Sequence, residues 1–392
     1  MNKIFFIISL AVYFPFVYYG QLSVSVFLDE TGSAAIINYL SAFFNLTAMA
    51  VILGKNGLST SPIRKGLVYT VVAWIVLVIL NSAYSSDGLG RMLKNINYAS
   101  MWATHFLMYC CIANLKSWNE KRMVFVFALL TMLSSYLVVF LFNTRTVFDG
   151  GISLGSGLNS SYFVVCILPW LFLIENRWVK TVFLFIAVAA VLFSMKRTSI
   201  LVLGIQLLSY LLMMERKKGG IVAKILMGSV LFVGIYYIFM YISDTYLEGG
   251  VISRFEMVEN DELGGRMAIW KILFQKYSES PFILQFLGHG CNAFIEDGGI
   301  RLTAHNDYFE TLYDFGFLGV ALLLLFIGYL ISRVKRVFEY WRNLGVAYVM
   351  GLIAFVVIMM SSHLLFIHPC QIVFLTALWG YAIGASERKR TI

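Results

Sequence analysis

Apolar runs about 20 residues long recur along the chain, separated by short stretches that hold nearly all of its charge. A helix needs roughly 20 apolar residues to cross the ~30 Å hydrocarbon layer of a bilayer. Repetition at that length restricts the chain to a bundle of membrane-crossing helices. Composition leaves no soluble alternative, because 60% of the 392 residues are hydrophobic and only 13% are charged. A core of this length cannot hide so much apolar surface. The fold class expected is therefore an all-α polytopic membrane protein.

Twelve spans are expected, at 5–19, 34–54, 66–84, 95–115, 123–142, 161–175, 181–195, 199–214, 225–243, 311–332, 344–362 and 370–385. They divide the chain into an N-terminal bundle of nine spans (1–243), a polar loop (244–310) and three C-terminal spans (311–392). Phe-Val-Tyr-Tyr-Gly-Gln follows the first apolar run, and this is no small-residue cleavage site, so that run is expected to stay as an anchor.

Charge sets the orientation. With the N-terminus inside, alternate loops collect 20 of the 30 Lys and Arg residues, against only 5 of the 21 acids. Arg216, Lys217, Lys218 and Lys224 make one such cluster, and Arg333, Lys335, Arg336 and Arg342 another. This is the positive-inside pattern, and it puts both termini in the cytoplasm. The net charge of +9 thus reflects topology, and no nucleic-acid partner is implied. A bacterial inner membrane is the natural setting.

Two places break the regularity. The first is the loop of about 65 residues between Asp244 and Glu310, far longer than an ordinary connection. Within it, Glu256, Glu259, Asp261 and Glu262 precede Gly264-Gly265-Arg266. From Arg266 to Tyr277, residues Ile269, Trp270, Leu273, Phe274 and Tyr277 fall on one helical face, which predicts an amphipathic helix lying on the membrane with Trp270 at headgroup level. Ser280-Pro281 should stop it, and Gly288-His289-Gly290 and Glu296-Asp297-Gly298-Gly299 read as turns. The loop reads either as a structural cap or as a cap that also lines a site.

The second is Lys196-Arg197-Thr198-Ser199, which interrupts the apolar stretch 181–214 on the outer side. As one helix that stretch would run about 50 Å, too long for a bilayer, so a turn is expected at the cations. Charges there oppose the orientation rule and are costly unless an anion meets them. They either snorkel to lipid phosphate or bind the phosphates of a substrate, for which the fork of Arg197 is suited.

Cys110, Cys111 and Cys166 lie within spans as ordinary buried thiols, and a bridge between Cys291 and Cys370 is a candidate on spacing alone. No Cys/His cluster has metal-ligand spacing, and His363 and His368 read as solvated groups.

The run from His305 and Asn306 through nine residues to Gly316 and Gly319 stands where the long loop re-enters a span. At a helix start, the positive end of the dipole disfavours imidazolium and leaves His305 neutral, as a general base must be. Gly316 and Gly319, three apart on one helical face, would let another helix approach closely. Asp307 and Glu310 are candidates for orienting the imidazole, or ordinary first-turn acids.

At these residues the chain resembles the O-antigen ligase/O-antigen polymerase superfamily of bacterial membrane glycosyltransferases. That family's loop carries His, then Asn, Ser or Gln, nine residues, Gly, two residues, and Gly, Thr or Tyr; His305, Asn306, Gly316 and Gly319 match in full. The likeness extends through Gly265-Arg266, Trp270, Ser280-Pro281-Phe282 and Gly288-His289-Gly290, and weakly to Lys196-Arg197. It implies a GT-C-like fold, no metal or other cofactor, and a polyprenyl-pyrophosphate-linked oligosaccharide as donor and as acceptor. Arg197 and Arg266 would hold the pyrophosphate, and His305 would deprotonate or orient the acceptor hydroxyl. Charge stabilisation would then supply most of the rate. The run His305-Asn306-Asp307-Tyr308-Phe309-Glu310 looks most like polymerases of O-antigen or capsule repeat units. A ligase that hands finished glycan to lipid A-core is the alternative within the family. A lipid-linked oligosaccharide flippase is the alternative outside it, disfavoured because the spans are almost free of charge apart from Asp314. A chain-length regulator is the expected protein partner by likeness.

Overall fold

A computed structural model describes residues 62–85, 89–113, 120–145, 161–194, 196–214, 266–294, 303–362, 365 and 369–388, with positions 43 and 47. Among these residues every extended element is an α-helix: α1 (Pro62–Ser85), α2 (Leu89–Ala113), α3 (Glu120–Arg145), α4 (Ser161–Leu171), α5 (Arg177–Phe193), α6 (Arg197–Met214), α7 (Arg266–Glu279), α8 (Phe282–Leu287), α9 (Asp307–Tyr340), α10 (Arg342–Ser361) and α11 (Pro369–Arg388). Helices occupy nine of the twelve expected spans; 5–19, 225–243 and, apart from positions 43 and 47, 34–54 lie outside the described residues. By length and composition, three helical stretches can cross a membrane: Lys65–Tyr84, Asp307–Tyr340 and Arg342–Ser361. Met123–Tyr136, Ser161–Leu171 and Thr198–Met213 are shorter apolar stretches.

The turn expected in the stretch 181–214 is present. Ser194 closes α5 by donating its amide to Ala190, and its hydroxyl accepts from the Lys196 amide at 3.2 Å. Helix α6 then begins at Arg197.

In lipid the hydrophobic effect does not drive helices together, so close packing and buried hydrogen bonds must hold them. Phe127 of α3 stacks on Trp170 of α4 with ring centroids 3.9 Å apart, and Trp170 donates its indole N–H to the Phe374 carbonyl of α11. Gln206 of α6 donates to Val165 of α4 and Met350 of α10, joining three helices at one side chain. The close approach of two backbones occurs between α2 and α11. A Cβ on Gly380 would sit 2.2 Å from the Phe106 carbonyl oxygen, and one on Gly384 would sit 2.5 Å from that of Cys110. Gly380 and Gly384 are four apart, the small-residue spacing that lets membrane helices meet.

The sequence reading gave that role to Gly316 and Gly319; α8 does approach the backbone of Gly316, but Gly316 lies at a break in its helix and Gly319 faces its own helix. Helix α9 is 34 residues long, about 51 Å, and Gly316 breaks it with φ 64° and ψ −169°. This backbone region is essentially closed to side-chain-bearing residues. The break gives a short segment carrying the His305–Asn306 motif, followed by roughly 36 Å of helix that can span a bilayer. A Cβ on Gly316 would meet the Phe286 carbonyl at 2.4 Å and the Gly288 amide nitrogen at 2.6 Å, so the kink packs on the end of α8. Gly319 faces Phe315 of its own helix across the kink, 2.3 Å from where a Cβ would lie.

The kink also frees carbonyls that an unbroken helix would satisfy internally. The turn at Gly288-His289-Gly290 supplies the missing donors: the His289 amide bonds the Tyr313 carbonyl at 3.1 Å and the Gly290 amide bonds that of Asp314 at 3.0 Å. Gly288 (φ 93°) can reach this position only without a side chain, since a Cβ would lie 2.2 Å from the Asp314 carbonyl oxygen. The Asp314 carboxylate accepts the amides of Asn292 (2.9 Å) and Phe294 (3.2 Å), which holds the following residues in place. The loop and the kinked helix are one unit.

Gly316→Ala should therefore cost at least about 2 kcal/mol and lower the melting temperature of the purified protein. Gly328→Ala, in open helix with nothing near its Cβ, should be neutral or slightly stabilising. Equal melting temperatures would overturn the assignment of the kink. Gly380→Ala should weaken the packing of α2 on α11, and cross-linking of cysteines placed on those two helices should fall relative to the parent.

Candidate active site at the His305 end of the bundle

His305 lies immediately before the N-cap of α9, with a left-handed backbone (φ 51°) that is uncommon for a residue with a side chain. The surrounding bonds fix this conformation. The Asn306 side-chain oxygen accepts the amides of Tyr308 (3.0 Å) and Phe309 (3.2 Å), a cap that satisfies two first-turn donors. Its amide group also donates to the Met360 carbonyl at the end of α10. On the other side, Ala304 is held at both polar groups. Its amide donates to the Glu310 carboxylate at 2.7 Å, and its carbonyl accepts the Trp270 indole N–H at 2.8 Å.

The two acids considered as orienting carboxylates are thus seen holding backbone. Glu310 takes Ala304, while Asp307 accepts the Leu365 amide at 3.0 Å. Both are buried. Placed at the start of α9, they also complement the positive end of its dipole.

Arg266 is the first residue of α7 and is half-buried. Trp270, one turn further on, makes the bond to Ala304 and meets the Phe309 ring edge-on at 5.1 Å. Arg266 therefore opens a helix whose next turn is fastened beside His305. The α7 face expected to lie on the membrane is turned inward: Ile269 and Leu273 pack with Ala293, Phe294, Ala304 and Tyr313, and Trp270 and Tyr277 flank that small core. The chain's own loop, more than lipid, covers this face. Ser280-Pro281 ends α7 as expected, but the short helix α8 that follows at once was not legible in the sequence. His289 stacks on Tyr313 at 4.1 Å, donates from Nδ1 to the Tyr313 carbonyl, and sets Nε2 2.7 Å from the Ser280 hydroxyl.

Arg197 opens α6. The beginning of α6 is tied to that of α4 through the Ser161 and Ser199 hydroxyls, 2.6 Å apart. Beside this link lies Tyr162. Thr198 and Ser362 face its hydroxyl, the Arg266 guanidinium acts on it across space, and the Lys196 ammonium stands 5.3 Å from its ring centroid. Ser362 is two residues from Met360, which Asn306 binds. The start of α4 is thus bonded to that of α6, the start of α9 to the end of α10, and the first turn of α7 to the residue before His305.

No signal in a single sequence marked Tyr162 as part of this region, or Asp314 as the clamp of the 292–294 backbone. Cys291 is a buried thiol, so the bridge to Cys370 is not made. The acidic stretch at 256–262, the 296–299 turn, and His363 and His368 lie outside the described residues. Among the described residues, no group of His, Cys, Asp and Glu is disposed to hold a metal ion.

Comparison with known proteins agrees with this geometry. No curated protein matches the chain. The family model described as O-antigen ligase matches residues 182–324, a stretch that includes α6, α7, α8, the His305–Asn306 motif and the kink of α9. Over that stretch, about a third of its length, the chain is similar to the O-antigen ligase family.

Proposed function

We propose that the protein is an O-antigen polymerase. In this reading it is a multi-pass protein of the bacterial inner membrane with cytoplasmic termini, and the His305 end of the bundle faces the periplasm. It joins polyprenyl-pyrophosphate-linked oligosaccharide repeat units into O-antigen or a related surface polysaccharide. The observation that supports the reading is the match of residues 182–324 to the O-antigen ligase family model, with His305 just before the N-cap of α9 and α7, which Arg266 opens, fastened beside it.

The chemistry follows from the charges. An acceptor sugar hydroxyl attacks the anomeric carbon of the donor glycan, and the bond from that carbon to the diphosphate oxygen breaks. The hydroxyl proton goes to the neutral imidazole of His305. The polyprenyl diphosphate leaves carrying negative charge, which Arg197, Arg266 and the helix ends stabilise. Arginine suits this task because its planar fork meets two phosphate oxygens at once. Asn306 and the glycine kink set the angle of the segment that follows His305. The residues act in a region walled by the protein's own loop, where electrostatic interactions are stronger than in open water. A chain-length regulator is the protein partner this reading carries with it.

The family model's description as a ligase favours the second reading, transfer of finished glycan to lipid A-core. One experiment separates them. In cells dependent on this gene, His305→Ala should reduce product at least about a hundredfold, read as the ladder of surface glycan on a gel. Core bearing a single repeat identifies a polymerase. Unmodified core with long lipid-linked chains identifies a ligase. An unchanged ladder removes His305 from catalysis. Arg197→Ala and Arg266→Ala should each abolish the ladder while the protein accumulates normally; retained activity in both would return these cations to contacts with lipid phosphate.

A further inference from the structure

Tyr162, the second residue of α4, is fully buried, yet its hydroxyl makes no hydrogen bond of ordinary geometry. Buried hydroxyls nearly always have a partner, because leaving one unmade is costly. Packing alone does not explain it, since phenylalanine fills the same space without the polar atom. The surroundings of the hydroxyl are not apolar. Thr198 and Ser362 face it, the Arg266 guanidinium acts on it, and Lys196 lies over the ring at 5.3 Å from the centroid.

A phenol offers one O–H donor, and a phosphate oxygen is a pure acceptor. The cation over the ring withdraws electron density from it and strengthens that donor. We propose that the Tyr162 hydroxyl donates to a phosphate oxygen of the diphosphate-bearing substrate, beside Arg266 and beneath Lys196. This rests on the reading above that a diphosphate is bound at the His305 end. Tyr162 would be a binding residue for the leaving group, complementary to arginine because it fixes direction without adding charge. Substrate phosphate and lipid headgroup phosphate share the same chemistry, and the proposal commits to the former.

The test uses the full-length protein in phosphatidylcholine nanodiscs and inorganic pyrophosphate as the probe. Pyrophosphate should raise the melting temperature of the parent protein. Tyr162→Phe should weaken its apparent affinity roughly tenfold, while the melting temperature without pyrophosphate stays equal or rises, because an unpaired buried hydroxyl has been removed. A merely structural hydroxyl would show the reverse, with lower intrinsic stability and unchanged pyrophosphate affinity, and would overturn the proposal. If affinity changes only when anionic phospholipid is added to the discs, the hydroxyl serves lipid and the proposal also fails. Comparison with Arg266→Ala separates the two levels. Loss of the pyrophosphate effect in Arg266→Ala but not in Tyr162→Phe refutes the role of Tyr162 alone. No effect of pyrophosphate on the parent protein refutes the diphosphate reading itself.

Discussion

The arrangement of the His305 end depends on one backbone-to-backbone contact, that of Gly288 with the kink at Gly316. A helix that breaks inside a membrane protein must have its released carbonyls satisfied by something other than water. Here the amides of His289 and Gly290 do so, and neither glycine at the contact could carry a side chain. The Asp314 carboxylate then binds the next amides along the same strand of chain. The direction of the segment that follows His305, and with it the position of the histidine, is set by these bonds. Substitution at Gly316 is therefore a question about the site as much as about stability.

Around this fixed point the charges are distributed by cost. A cation within the hydrocarbon layer is expensive, whereas at the end of a bundle it can be hydrated or paired. Lys196 and Arg266 stand immediately before or at helix starts. The acids nearby are engaged with backbone amides at Ala304, Leu365, Asn292 and Phe294.

Much of this was legible in the sequence because it rests on patterns with a period. Apolar runs gave the helices, the cations at 196–197 gave the turn between α5 and α6, and Ser280-Pro281 gave the end of α7. His305 at a helix start was readable from the motif and the Asn306 cap. That Gly316 also breaks its helix could not be read, because glycine serves close helix approach and left-handed backbone equally well and spacing cannot tell them apart. Only the neighbouring carbonyls decide, and these come from a segment 28 residues earlier in the chain, at Gly288. The true close-approach pair, Gly380 and Gly384, had the right spacing but lay in an unremarked span. Tyr162 was invisible for a related reason, since a buried aromatic residue in an apolar helix has no distinguishing pattern until its hydroxyl is seen facing Thr198 and Ser362 without a hydrogen bond of ordinary geometry.

The amides of His289 and Gly290 complete the hydrogen bonding of α9, and this limits how the protein can move during turnover. Peeling residues 288–294 away would strand the carbonyls of Tyr313 and Asp314 and release the Asp314 carboxylate where little water can replace the lost donors. That flank of the His305 end is a fixed wall and not a door. Any motion that opens this end of the bundle must therefore come from another flank.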